Sequence, residues 1–208
     1  AKDLHAAGVE ITGIIDTRPD CQKVPPTGVP CVRGGYVVNT KGRLGLSSIL
    51  LNNGTRIPAD CLAVSGGWSP NVHLTCHHRG RPIWNDAIAG FVPGRALPEG
   101  MIVTGAANGI MGLASCLKGG IAAGQRVVRD LGGKPAKTKA PSASDENFSI
   151  QPFWYVKDSI NNAFVDFQHD VGVKDIKLAH REGFRSVEHL KRYSTLGMAT
   201  DQGKIANI

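Results

Sequence analysis

The chain has no apolar run approaching the ~18 residues that a membrane-spanning helix needs. Its opening stretch, AKDLHAAGVE, has none of the apolar core of a secretory leader. Aromatic residues make up only 6% of the chain, and they do not interleave with basic residues in a stripe. That argues against a nucleic-acid surface despite a net charge of +7. A basic balance of this kind suits a solvated surface or a face for an acidic partner. Cysteine is scarce and poorly spaced: Cys21, Cys31, Cys61, Cys76 and Cys116 are odd in number and contain no C-x-x-C pair. This argues against a disulfide framework or a thiolate metal site and predicts a reducing, cytoplasmic setting. Cys76-His77-His78 is a tempting ligand cluster, but adjacent side chains diverge, so it reads as a surface loop. The histidines are scattered, and no nucleophile–base–orienter set appears. No catalytic residue and no metal ligand is therefore expected in this chain.

What is present is glycine, and it is concentrated where it carries meaning. Residues 101–124, MIVTGAANGIMGLASCLKGGIAAG, organise the rest. Ile102-Val103 reads as a buried strand, Gly105 to Gly109 as a turn of small side chains, and the remainder as a tightly packed helix. A strand, a turn and a helix N-terminus form an anion cradle, because backbone N–H groups can approach a phosphate and the helix dipole favours its charge. Gly105, Ala106, Ala107, Asn108, Gly109, Ile110 and Gly112 are the candidate contacts to a diphosphate or ribose.

Upstream, residues 1–8 read as a helix end closed by Gly8, and 9–15 as a β-branched strand ending at Asp16. An acidic residue at that point of a Rossmann unit holds the adenosine ribose. The alternative is an Asp that simply ends a strand and opens the turn Asp16-Thr17-Arg18-Pro19. The ribose reading takes Asp16, Thr17 and Arg18 together and prefers NAD to NADP, since a carboxylate repels a 2′-phosphate. It also places the glycine-rich fingerprint about 20 residues earlier, which predicts that the chain is a segment of a longer polypeptide. Residues 36–40, 46–52 and 55–57 read as an antiparallel meander, with Asn52-Asn53-Gly54 as a strong hairpin signal. Residues 60–65 read as a further buried strand.

That strand leads into Ser65-Gly66-Gly67-Trp68-Ser69-Pro70-Asn71. The order of meander, strand and G-x-x-P-N resembles the two-dinucleotide-domain flavoprotein disulfide reductases and their relatives. The resemblance implies that Ser65, Gly66 and Gly67 line a nucleotide cleft. Trp68 is either a core plug or a lid over a cofactor ring. Asn108 stands where that family has a flavin-binding aspartate, so a standard FAD site is not implied. Residues 132–150, rich in Pro, Ser, Lys and Ala, read as a linker.

From about residue 151 a second module begins. Residues 163–167 alternate as a strand, 173–182 form an amphipathic helix stopped by Gly183, and Ser186 caps another helix through Tyr193. The module resembles the small 2Fe–2S domain of bacterioferritin-associated ferredoxin and of several amine dehydrogenases. Val165, Phe167, Asp201 and Ala206 stand where those domains carry cysteines, so no iron–sulfur cluster is expected.

Taken together, the 66–71 turn, the 105–112 turn and the tail EHLKRYSTLGMATDQGK resemble the alpha subunit of heterotetrameric sarcosine oxidase along nearly the whole chain. The implied fold class is α/β: a partial FAD/NAD(P)-binding Rossmann-like region with a β-meander over 1–131, a linker over 132–150, and a mostly helical module over 151–208. The resemblance implies oxidation of sarcosine to glycine with release of hydrogen peroxide. The methyl carbon leaves as formaldehyde or passes to tetrahydrofolate. NAD would lie on this subunit, FAD and FMN mainly on the beta subunit, and the beta, gamma and delta subunits would be partners. Two other readings are a non-catalytic scaffold with a vestigial dinucleotide fold, and a subunit of a related amine or opine dehydrogenase.

Overall fold

The computed structural model describes residues 1–200, 202 and 203. They form two compact units. The first joins Ala1–Val64 to the described residues from Phe153 onward, and the second is Ser65–Pro152. The expected cysteine replacements Asp201 and Ala206 lie outside the described residues.

The first unit opens with helix α1 (Lys2–Ala6), after which Gly8 takes φ +85°, as a helix stop requires. Strand β1 (Ile14–Asp16) pairs in parallel with β2 (Cys31–Arg33), Ile15 lying opposite Val32. Strands β3 (Val37–Lys41), β4 (Ser48–Leu51) and β5 (Arg56–Pro58) form the expected antiparallel meander. Its centre is β4, where Ser48, Ile49 and Leu51 are all buried. The β4–β5 turn closes as its composition predicts. Gly54 adopts φ +84°, and Asn53 Oδ1 accepts the Thr55 N–H at 2.9 Å. The returning segment docks on β3. Ile160 N–H donates to Val38 O at 3.2 Å, Tyr36 Oη–H donates to Asp158, and the Tyr36 and Phe153 rings lie 5.2 Å apart.

In the second unit a 3₁₀ turn (His73–Arg79) carries Cys76 and His77 at the surface. Strands β6 (Ile83–Asn85) and β7 (Gly90–Val92) form a hairpin, with Trp84 edge-on to Phe91. A second 3₁₀ turn (Gly105–Asn108) precedes the long helix α2 (Leu113–Asp130). Back in the first unit, β8 (Phe164–Asp166) and β9 (Val171–Gly172) make a bulged hairpin. Helix α3 (Val173–Arg181) and helix α4 (Val187–Ser194) follow. Val171, Ala179, Leu196 and Ala199 are their buried centre. Ser186 Oγ accepts the His189 N–H, so the predicted cap is present.

Three local expectations fail for a shared reason. Residues 60–65 are irregular and mostly exposed, with Val64 82% accessible. Ile102-Val103 is irregular and half-buried, and 9–13 is irregular up to the short β1. A strand needs a neighbour to take its backbone N–H and C=O groups, and these β-branched runs have no such ladder. The small-residue helix is also not tightly packed. No residue of α2 is buried, and a Cβ at Gly120 or Gly124 would meet open space. Gly119 is the exception, since a Cβ there would come within 2.7 Å of Thr104 Oγ1.

Candidate functional site

The candidate residues fall into two groups. Asp16, Thr17 and Arg18 lie in the first unit, and those from Ser65 to Gly112 lie in the second.

Parallel pairing with β2 brings β1 to its end at Asp16. There the chain turns back on itself. Asp16 Oδ1 accepts the Arg18 backbone N–H at 3.0 Å and Nε–H at 2.9 Å, while Oδ2 accepts from Nη2 at 2.7 Å. This two-pronged guanidinium contact holds the Asp16 carboxyl well below the usual carboxylate range, and the same contact pushes the Arg18 guanidinium still further up. Arg18 Nη2 also lies 3.5 Å from Cys21 Sγ, and Thr17 is exposed. Asp16, the residue expected to accept from ribose hydroxyls, thus has Arg18 bound across both its oxygens.

In the second unit the turn 105–109 is built from its own backbone. Gly105 and Gly109 take φ +66° and +79°, a region that glycine enters without strain. The Gly109 N–H donates to Ala106 O and the Ile110 N–H to Gly105 O, so both amides are engaged within the turn. Gly109 also lies against the β6–β7 hairpin, where a Cβ would come within 2.8 Å of Val92. Ala106 and Asn108 are exposed, and Ala107 is half-buried. Cys116 Sγ–H donates to Ile110 O at 3.0 Å, tying the turn to the first turn of α2.

The helix N-terminus itself already holds an anion. Asp145 Oδ1 accepts the Ser115 N–H at 3.0 Å, and Oδ2 accepts the Ser115 hydroxyl. The Ser115 hydroxyl and amide, helped by the Ala114 amide, lower the Asp145 pKa. Gly112 is what lets the carboxylate in, since a Cβ there would stand 2.4 Å from Asp145 Oδ1. Ser65 and Gly66 are exposed. Gly67, at φ +111°, is likewise exposed, and a Cβ there would come within 2.9 Å of Ile150 Cδ1. Asp145 and Ile150 are contacts that the sequence reading misses. Both sit in a stretch whose composition says only linker, and the partner of a capping carboxylate 30 residues away leaves no local signal.

The fold is shared with a dehydrogenase of known structure. L-proline dehydrogenase from P. horikoshii matches at a TM-score of 0.60, covering 85% of this chain and 37% of that one. At 19% identity the likeness concerns the fold alone. The family is more specific. The chain is homologous over its full length to sarcosine oxidase alpha subunits, and residues 160–208 match the sarcosine oxidase A3 domain. It is 42% identical to the sarcosine oxidase subunit alpha of Rhizobium meliloti (strain 1021), an alignment that covers 100% of this chain and 22% of that protein. It is 31% identical to the subunit alpha of Corynebacterium sp. (strain P-1), covering 99% of this chain and 23% of that one. The chain therefore spans less than a quarter of the relatives it matches.

Proposed function

We propose that this chain is the dinucleotide-binding and A3 segment of the alpha subunit of a heterotetrameric sarcosine oxidase. The observation that carries this is unbroken homology to such subunits from end to end, at 42% identity to the R. meliloti protein. On this reading the assembled enzyme is an oxidoreductase acting on sarcosine, giving glycine and hydrogen peroxide, with the methyl carbon released or transferred to tetrahydrofolate. It works in the cytoplasm, and no described helix is long and apolar enough to cross a membrane. FAD and FMN belong mainly to the beta subunit. The gamma and delta subunits complete the complex.

The role proposed for this segment is to bind NAD and to dock partners. Two features fit NAD. Asp16 offers an ionised acceptor to ribose hydroxyls at the end of a parallel strand. The α2 N-terminus already binds a carboxylate through Ser115, so its donors suit an anion. Bound NAD supplies a nicotinamide ring able to accept hydride, while this chain supplies binding groups. The A3 module is proposed to hold no iron–sulfur cluster, because Val165 and Phe167 offer no thiolate and Phe167 stacks on Phe164, 79% exposed. Hydrogen–deuterium exchange with and without NAD, on the protein as the cell makes it, tests the cofactor role. Protection is expected at 14–18 and 105–116, and protection confined to other segments rejects the assignment.

A second reading has specific support. Arg18 spans Asp16 in the first unit, and Asp145 sits on the α2 N-terminus in the second, so each group of candidate residues is engaged by the chain itself. On that view the segment is a docking scaffold with a vestigial dinucleotide fold. Normal assembly together with no NAD uptake would favour it.

A further inference from the structure

We propose that the outer face of the β6–β7 hairpin, with the arginines gathered at its open end, is a docking surface for an acidic face of a partner polypeptide chain. The inference rests on the partner-docking reading above and names the surface of the second unit, and the chemistry, that the docking uses.

Alternation along two paired strands gives the hairpin two unlike faces. Ile83, Val92, Asn85 and Gly90 share one face, and Trp84 and Phe91 share the other. Val92 and Gly90 on the first face are packed. A Cβ at Gly109 would come within 2.8 Å of Val92 Cγ1, and a Cβ at Gly90 would come within 3.2 Å of Pro70 Cδ. On the second face Trp84 and Phe91 meet edge-on, with ring centroids 5.1 Å apart, and both are exposed. Trp84 Nε1–H donates to Asp86 Oδ1 at 2.7 Å, which holds the indole in place at the surface. A ring already held before a partner arrives loses less freedom on binding. A preset aromatic pair left in water has the character of an interface anchor.

The charge beside the pair says what covers it. Arg79 and Arg81 lead into β6, and Arg95 follows β7. A Cβ at Gly94 would collide with Arg81 O, so the two arms run close together where these arginines stand. All three are exposed, and none of their guanidinium groups has a hydrogen bond or ion pair among the described residues. The stretch 79–95 carries a single carboxylate, Asp86, and Trp84 already donates to it. Like charges gathered without a counter-charge repel one another, and facing carboxylates relieve that repulsion. Each guanidinium presents a fork that fits a carboxylate through two parallel N–H···O bonds. The complement of this face is therefore an apolar seat for the two rings, bordered by Asp and Glu side chains.

The test uses the polypeptide at the length the cell makes, with the other subunits of the same enzyme as the probe. Dissociation constants are read by sedimentation at about 0.1 M salt for the wild type, Trp84→Ala, Arg81→Glu and Arg81→Lys. Arg43→Glu, an equal charge reversal on the exposed β3–β4 connection, is the control. Circular dichroism checks that each variant melts as the wild type does, and hydrogen exchange is followed over 79–95. Trp84→Ala and Arg81→Glu are expected to weaken assembly about 10-fold or more, Arg81→Lys less, and Arg43→Glu by no more than about twofold. Exchange over 79–95 should slow in the wild type when the subunits are added. An Arg81→Glu effect no larger than that of Arg43→Glu, or no slowing over 79–95 on assembly, overturns the hairpin face and leaves partner docking standing. Protection of 79–95 by single-stranded RNA and not by the subunits also overturns it. No assembly even of the wild type overturns both readings.

Discussion

Asp166 shows how much one side chain can hold. It is 4% exposed, and its carboxylate reaches two separate loops. Oδ1 accepts the Gln168 N–H at 2.8 Å, and Oδ2 accepts the Gly197 N–H at 3.3 Å. Burial alone would raise its pKa, but the amides of Gln168, Gly197 and His169 outweigh that and lower it. The sign of the pH effect follows. A depressed folded-state pKa contributes stability that is complete above the unfolded value of about 3.9 and is lost as pH falls through the folded value. Asp166→Asn is therefore expected to be less stable than the wild type at pH 7. The gap should narrow as pH drops below about 4, as read by denaturation monitored by circular dichroism. A constant gap across that range would show that the charge is unimportant. Asp166 lies between Val165 and Phe167, the two positions where related domains place cysteines. It is this residue, and not its two neighbours, that ties the hairpin to the loop at Gly197.

Among the elements, β4 and α4 make contrasting predictions. Leu51 on the central meander strand is almost fully buried, so Leu51→Ala should cost about 2–5 kcal/mol in urea denaturation, the range for an unfilled core site. Ser186→Ala removes a single cap and should cost about 1 kcal/mol. A Ser186 effect equal to that of Leu51 would mean the cap does more than satisfy one amide. Both elements were legible in the sequence for a physical reason: their signals are local. Asn52-Asn53-Gly54 names its own turn, Ser186 names its own helix start, and Gly8 and Gly183 name helix ends. Residues 60–65 and Ile102-Val103 carry an equally strong β-branched signal but have no partner strand. Strand formation depends on a neighbour that a local reading cannot see. The candidate site divides the same way. Glycines at positive φ are legible locally, while the side chains that approach Gly67 and Gly112 are not, because they arrive from far along the chain.

At the scale of the whole molecule, a net charge of +7 is a statement about association. If the chain docks acidic faces of the beta, gamma and delta subunits, the complex should loosen with salt. The screening length shrinks from about 10 Å at 0.1 M to about 3 Å at 1 M. A rise of about threefold or more in the dissociation constant over that range is expected in sedimentation or light scattering. No change would assign the docking to apolar contacts instead. Homology runs the full length of the chain, but it aligns with only 22% of the R. meliloti subunit.

One more consequence follows from the first unit's being made of two separated stretches, Ala1–Val64 and the residues after Phe153. Tyr36 and Val38 find their partners in Asp158 and Ile160, which the ribosome delivers much later. At about 5–20 residues per second, the meander waits for seconds with one edge bare while the whole of the intervening unit is synthesised. The nascent chain thus completes its middle before its beginning.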